Sequence, residues 1–258
     1  MSTLQPSTPR PSAELLAALR VDLAIARAHR GPVLSFGLPA IDERLSDHGL
    51  DAGGLHEIAA ASEQLTDDAA ATLFLAGIAA RFCDQPDFTM LWAVTAFDLY
   101  APGLEQVGLG PEKVLYGQGR KDAEVLAMAE DALRDGSLAC VIAEVKAADM
   151  TATRRLQLAA ADGQTPMLLY RRHRSRGRCP LSTPSAAMTR WRIGSAASER
   201  TPWQGVGRPR WQIDLVRQRN GNPFSLELEA CDATGRLALP AAVADRAVAQ
   251  ERATSKAA

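Results

Sequence analysis

Phosphate chemistry needs glycines and a lysine in one loop, and this chain has one place where such a loop would sit. Residues 60–68 read Ala-Ala-Ser-Glu-Gln-Leu-Thr-Asp-Asp, between a predicted buried strand at 55–59 and a long apolar segment at 69–83. Strand, loop and helix in that order cradle phosphate when the loop carries G-x-x-x-x-G-K-[ST]. Its glycines bring backbone N–H groups to the phosphates, its lysine neutralises them, and its hydroxyl holds magnesium. This loop has neither glycine nor lysine. The chain's four lysines are followed by Val114, Asp122, Ala147 and Ala257, never by Ser or Thr. Glu63, Asp67 and Asp68 stand there instead. Asp67 and Asp68 at a helix start suit the macrodipole, by roughly 0.3–1 kcal/mol each, and occupy the end a phosphate would want. A carboxylate about 4 Å from a phosphate costs roughly 4 kcal/mol at an effective dielectric of about 20, nearly a thousandfold in affinity. No tight Mg-ATP binding is expected, and no cofactor.

A second constellation is basic. Residues 171–178 read Arg-Arg-His-Arg-Ser-Arg-Gly-Arg, placing Arg171, Arg172, Arg174, Arg176 and Arg178 after an apolar strand at 165–170. Such a cluster neutralises nucleic-acid phosphates and releases counterions. Trp191, Trp203 and Trp211 could supply stacking surfaces nearby, though Trp191 and Trp211 also fit the core of strands. The competing readings are a loop that docks on an acidic protein surface and an idle solvated loop. Arg217 and Arg219 read as exposed strand-face charges or as contacts to an acidic partner. Glu144 interrupts an apolar strand, where an unpaired carboxylate is costly. It must leave the strand end or pair, with Lys146 or an arginine. His56 and Glu57 have no further ligand at a metal spacing, and Ser62 and Thr66 lack a histidine to activate them. Neither metal nor catalytic residues are expected. The four cysteines form no C-x-x-C pair, which suits a reducing cytoplasm. Cys179, in the basic stretch, is the expected reactive thiol.

The elements that must hold these residues follow from pattern. With 258 residues, 47% apolar and 23% charged, the chain can bury one large core, and wholesale disorder is excluded. No apolar run approaches the roughly 18–20 residues that span a bilayer. The net charge of −1 conceals an uneven distribution. Residues 31–150 hold 7 basic and 20 acidic side chains, and residues 170–219 hold 12 and 2. Such asymmetry marks a nucleic-acid or acidic-partner surface. Residues 1–11 read as a tail. An amphipathic helix is predicted at 14–28, with Leu15, Leu16, Leu19 and Leu23 on a face suited to a partner, to another protomer or to its own core. Helices are predicted at 39–45, 69–83, 103–107, 123–134 and 151–161. Strands are predicted at 55–59, 89–94, 114–116, 139–145, 165–170 and 188–193. A hairpin, 211–217 with 224–230, turns at Asn220-Gly221-Asn222-Pro223. Alternating strands and helices with continuous apolar strands predict a mostly parallel sheet covered on both faces and closed by an antiparallel hairpin. The expected organisation is a tail and interaction helix at 1–30, a core at 31–240 and a flexible tail at 241–258.

The stretch Leu34-Ser35-Phe36-Gly37-Leu38-Pro39-Ala40-Ile41-Asp42, followed by Gly53-Gly54-Leu55-His56-Glu57-Ile58, resembles the entry into the core of RecA-type recombinases. There a "G-x-x-x-L-D" turn precedes "GG-L-x-x-G-x-I-x-E-I" and then the phosphate loop. Residues 89–109 are similar to the next RecA strand and helix, and 139–148 to the strand that bears a magnesium-associated Asp, here Glu144. Residues 216–224 are similar to a late RecA hairpin. The water-activating acid expected near the end of the 89–94 strand is replaced by Ala96 or its neighbour, with Asp98 close by. A RecA-like chain without its phosphate loop looks like the ImuA family of the bacterial damage-inducible mutagenesis cassette. That resemblance implies a RecA-like α/β fold and a non-catalytic role in SOS-induced translesion synthesis. It implies as partners an ImuB-like Y-family polymerase homologue, RecA and, indirectly, an error-prone polymerase III α-type subunit. Single-stranded DNA is a further candidate, and a membrane is not. Members of the family are also labelled as relatives of SulA, which makes a cell-division inhibitor the alternative.

Overall fold

Runs of apolar residues too short for a helix become strands, and the longer periodic stretches become helices. The computed structural model describes residues 32–85, 87–173, 179–198, 205 and 207–240. The chain divides into units of residues 1–32 and 33–258, and every element below belongs to the second. The predicted helix at 14–28, with Leu15, Leu16, Leu19 and Leu23, lies outside the described residues, as do both tails, Trp203, Arg174, Arg176 and Arg178.

Strands β1 (Val33–Leu34) and β2 (Leu50–Asp51) form a small antiparallel pair around helix α1 (Pro39–Asp42). The turn into α1 is clamped by one carboxylate. Asp42 accepts from Phe36 N–H at 2.7 Å, Leu38 N–H at 3.1 Å and Ser35 Oγ at 2.8 Å, while Gly37 takes φ +71°. The main sheet comprises β3 (Leu55–Ala60), β4 (Met90–Val94), β5 (Val114–Gln118), β6 (Cys140–Val145), β7 (Met167–Arg171), β8 (Thr189–Ala196), β9 (Arg210–Gln218) and β10 (Phe224–Glu229). Its order is β10-β9-β8-β3-β7-β6-β4-β5, parallel from β8 through β5 and antiparallel across β8, β9 and β10. The predicted α/β class, with its mostly parallel sheet and C-terminal antiparallel hairpin, is the observed one.

Helices α2 (Leu65–Phe82) and α3 (Ala101–Glu105) cover one face, and α4 (Asp122–Asp135) and α5 (Met150–Gly163) the other. Under α2, the Phe74 ring lies 5.9 Å from Trp191 and 6.4 Å from Trp211. Both tryptophans are therefore core residues, not stacking surfaces. Helix α2 starts at Leu65, four residues earlier than predicted. Gln64 is its extended N-cap, and its carbonyl accepts from the N–H groups of Asp67 and Asp68. The acids that looked like loop residues thus form the first helical turn.

Candidate functional site

Ligands of open α/β sheets sit beyond the carboxyl ends of the strands, where the order of connection reverses. Here β3 connects to β4 across two intervening strands, and β7 connects to β8 on the opposite side of β3. A cleft of about 360 Å³ opens at that point. Ser62, Asp68, Thr95, Asp98, Glu144, Arg172 and His173 are among its lining residues.

Arg172 fills it. The residue follows β7, and its guanidinium reaches three carboxylates from three different segments. Its Nη2 lies 2.6 Å from Glu144 at the end of β6 and 2.9 Å from Asp98 after β4. Its Nη1 lies 3.1 Å from Asp68 in α2. Its Nε donates to the same Glu144 oxygen at 2.7 Å, and the guanidinium covers the Tyr170 ring at 5.3 Å. Trp92 Nε1 donates to the second Glu144 oxygen at 2.7 Å, and the Tyr170 hydroxyl donates to Asp68 at 2.5 Å. Burial pushes the Glu144 carboxyl above the usual carboxylate range, although Arg172 and Trp92 pull it down. Burial also opposes the charge on Arg172, but Glu144, Asp68 and Asp98 outweigh it and raise its pKa. Burial and the neighbouring Asp68 raise the Tyr170 phenol, so it stays a donor.

The loop backbone is committed as well. Ala61 N–H donates to Ile193 O at 2.7 Å, and Gln64 N–H to Ser62 Oγ at 3.2 Å. Ser62 in turn donates to Asp67, whose other oxygen accepts from Ser195 N–H at 2.8 Å. His173 donates from Nε2 to Ala60 O at 3.0 Å, leaving its buried Nδ1 without a partner. The N–H groups of Ala61 and Gln64 are thus bonded within the chain. No His, Cys, Asp and Glu group among the described residues could hold a metal ion.

No family model matches the chain. Protein ImuA of Caulobacter vibrioides, in strains NA1000 / CB15N and ATCC 19089 / CIP 103742 / CB 15, is 38% identical over 207 residues. The alignment covers 78% of this chain and 85% of that relative. The chain belongs to the ImuA family. Among solved structures, SulA from Pseudomonas aeruginosa overlaps 46% of the ImuA-family chain and 97% of its own, at 25% identity and a TM-score of 0.38, which is too loose to bear on fold or function.

Within this ImuA-family chain the predicted basic cluster divides. Arg171 is the last residue of β7 and is 2% exposed. Its Nη1 pairs with Glu57 at 2.7 Å, and its Nη2 donates to Ala148 O at 3.1 Å. Glu57, wholly buried on β3, also binds Arg190 of β8 at 2.6 Å. Arg171 is thus an internal residue rather than a DNA- or partner-facing one, while Arg172, 20% exposed, is held by the acids of the cleft. A strand packed between two others left Glu57 and Glu144 inside, and these arginines balance them. Arg217 and Arg219 are exposed on β9 and just beyond it. Arg217 donates to Ser185 O at 2.9 Å, and Arg219 lies 3.5 Å from Met188 Sδ. The pairing of Glu144 with an arginine fits the sequence expectation, but the full network was not foreseen. Its signal was two acidic residues on strands that are otherwise apolar, each needing a cation.

Proposed function

We propose that this chain is a non-catalytic accessory protein of SOS-linked, error-prone translesion synthesis, acting in the ImuA/ImuB mutagenesis cassette. Family membership supports the setting. The observation that carries the non-catalytic reading is the Arg172 network, in which the protein's own cation and carboxylates occupy the cleft. Turnover of a nucleotide there would require breaking all three ion pairs. Activity then resides in docking, with an ImuB-like Y-family polymerase homologue as the direct partner. RecA and, indirectly, a polymerase III α-type subunit complete the assembly in the cytoplasm. Direct contact with single-stranded DNA is left to the exposed Arg217 and Arg219 and to Arg174, Arg176 and Arg178, which lie outside the described residues.

The test is capture of the tagged full chain from cells with damaged DNA, read by mass spectrometry. Recovery of a Y-family-like protein together with RecA or a replicative-type polymerase is expected. Recovery of the tubulin-like division protein with no polymerase would replace this reading with cell-cycle arrest.

A further inference from the structure

A sheet has two edges, and this one treats them differently. On β10, Ser225 and Glu227 are exposed, and Glu229 bridges to Ala238, so charge and a returning segment blunt that edge. The opposite edge, β5, reads Val-Leu-Tyr-Gly-Gln, with neither charge nor proline. Leu115 and Tyr116 on it are 53% and 45% exposed. The exposed Phe97 ring stands 5.8 Å from Tyr116, and Tyr100 is exposed close by in sequence. Among the described residues, β5 pairs with β4 alone. Gly119 N–H donates to Val94 O at 3.0 Å, which fixes the direction of the backbone groups. By the alternation of a strand, Leu115 and Gly117 also turn theirs toward β4. Val114, Tyr116 and Gln118 turn theirs outward, where the Val114 N–H closes the preceding 3-10 turn on Pro111 O.

We propose that β5 is the interface of a two-fold symmetric homodimer, paired antiparallel with Tyr116 facing the Tyr116 of a second copy. Only this register gives all three outward residues an outward partner: Tyr116 meets its own copy, and Val114 meets the second copy's Gln118. The Tyr116 pair exchanges N–H···O bonds in both directions, and each Gln118 N–H donates to the facing Val114 O, since the Val114 N–H is held by Pro111 O. The same register sets Leu115 against Gly117, a bulky side chain against a position that has none. Two residues beyond each strand end it brings Glu112, in the preceding 3-10 turn, to the same end of the joint as the second copy's Arg120, both exposed and of opposite charge. These two residues lie at equal distances on either side of Tyr116, so the ion pair forms twice about the axis. That self-complementarity selects a second copy over an unrelated partner. Tyr116 and Phe97 share one face, so both copies bring their aromatic rings to the same side of the joined sheet.

Sedimentation of the full chain over a concentration series tests this. Wild type is expected to dimerise. Glu112→Arg or Arg120→Glu should each weaken the dimer roughly tenfold, by turning two attractions into two repulsions. The double variant, Glu112→Arg with Arg120→Glu, should restore it, since the pairs re-form with their charges exchanged. Tyr116→Lys should leave a monomer. Hydrogen exchange should show the amides of Tyr116 and Gln118 gaining protection with concentration, and those of Leu115 and Gly117, already bonded to β4, and of Val114, bonded to Pro111 O, unchanged. A wild-type monomer at every concentration, or a dimer indifferent to Tyr116→Lys, overturns the proposal. So does failure of the double variant to rescue the singles, which would point to an asymmetric contact.

Discussion

Arg172→Met takes one guanidinium away from three carboxylates at once. Asp98, 57% exposed, keeps its water and loses little. Glu144, 4% exposed, loses the cation that balances it and has no water to replace it. Removing one partner of a buried ion pair costs about 3–5 kcal/mol. Arg172 is itself 20% exposed, which places the expected loss at the lower end, about 3 kcal/mol. The pH dependence has a definite sign. Burial already holds the Glu144 carboxyl above its ordinary value against the pull of Arg172, so the variant raises it further. A carboxyl whose folded pKa exceeds its unfolded one binds protons more strongly when folded, and stability falls as pH rises between the two values. The loss should therefore be greatest near pH 8 and shrink toward about pH 5. Urea unfolding followed by circular dichroism at both pH values measures it. Adding Glu144→Gln removes the stranded charge and should recover about half the loss, because the Gln carbonyl can still accept from Trp92. A loss below about 1 kcal/mol near pH 8, or one equal at the two pH values, would refute the buried-network reasoning and make Arg172 an ordinary surface pair.

Three further outcomes are expected. Calorimetric titration with Mg-ATP should give no submicromolar dissociation constant, because a phosphate must displace Arg172 and then face Glu144, Asp68 and Asp98; a submicromolar value would contradict the self-filled cleft. Glu57→Ala should cost about 3–5 kcal/mol or leave the chain insoluble, since Arg171 and Arg190 would be stranded in the core, and a thermal midpoint close to wild type would count against it. Iodoacetamide should label Cys179 first, because Cys83 and Cys140 are buried and burial pushes the Cys231 thiol up to about 12; peptide mapping that finds Cys231 labelled first would reverse that order.

The parts of the fold legible in sequence are those governed by periodicity. The runs at 55–59, 139–145 and 165–170 are mostly apolar, broken by His56, Glu57, Glu144 and Thr165, because β3, β6 and β7 are buried on both faces of a parallel sheet. The turn at Asn220 and Gly221 marked the hairpin of β9 and β10, where Asn220 takes φ +61°. What pattern could not give was pairing at a distance. The β1–β2 pair joins Leu34 to Leu50 across the length of α1. Arg171 and Arg172 illustrate the same limit. In the sequence they open a basic run, and nothing local separates them from Arg174. Their partners, Glu57 and Glu144, lie far away in the chain and reach them only because β3, β7 and β6 are neighbours in the sheet. A buried acid on an apolar strand says that a cation must come, but the strand order decides which one.

That strand order also explains how the cleft balances its own charges. In a phosphate loop the protein supplies cation and N–H groups, and the ligand supplies the anion. Here both signs come from the chain. Asp68 and Asp98 approach from either side, Glu144 closes the floor, and Arg172 takes the place at their centre. Ala61 N–H, the first donor of the loop, is bound to Ile193 of β8, so the loop is tied to the sheet rather than held open. Such a site is stable without a ligand, which a cradle of unpaired donors is not. The features still unspent are on the outside: Arg217 and Arg219 beside the hairpin, and the uncharged edge of β5 with its exposed aromatic rings.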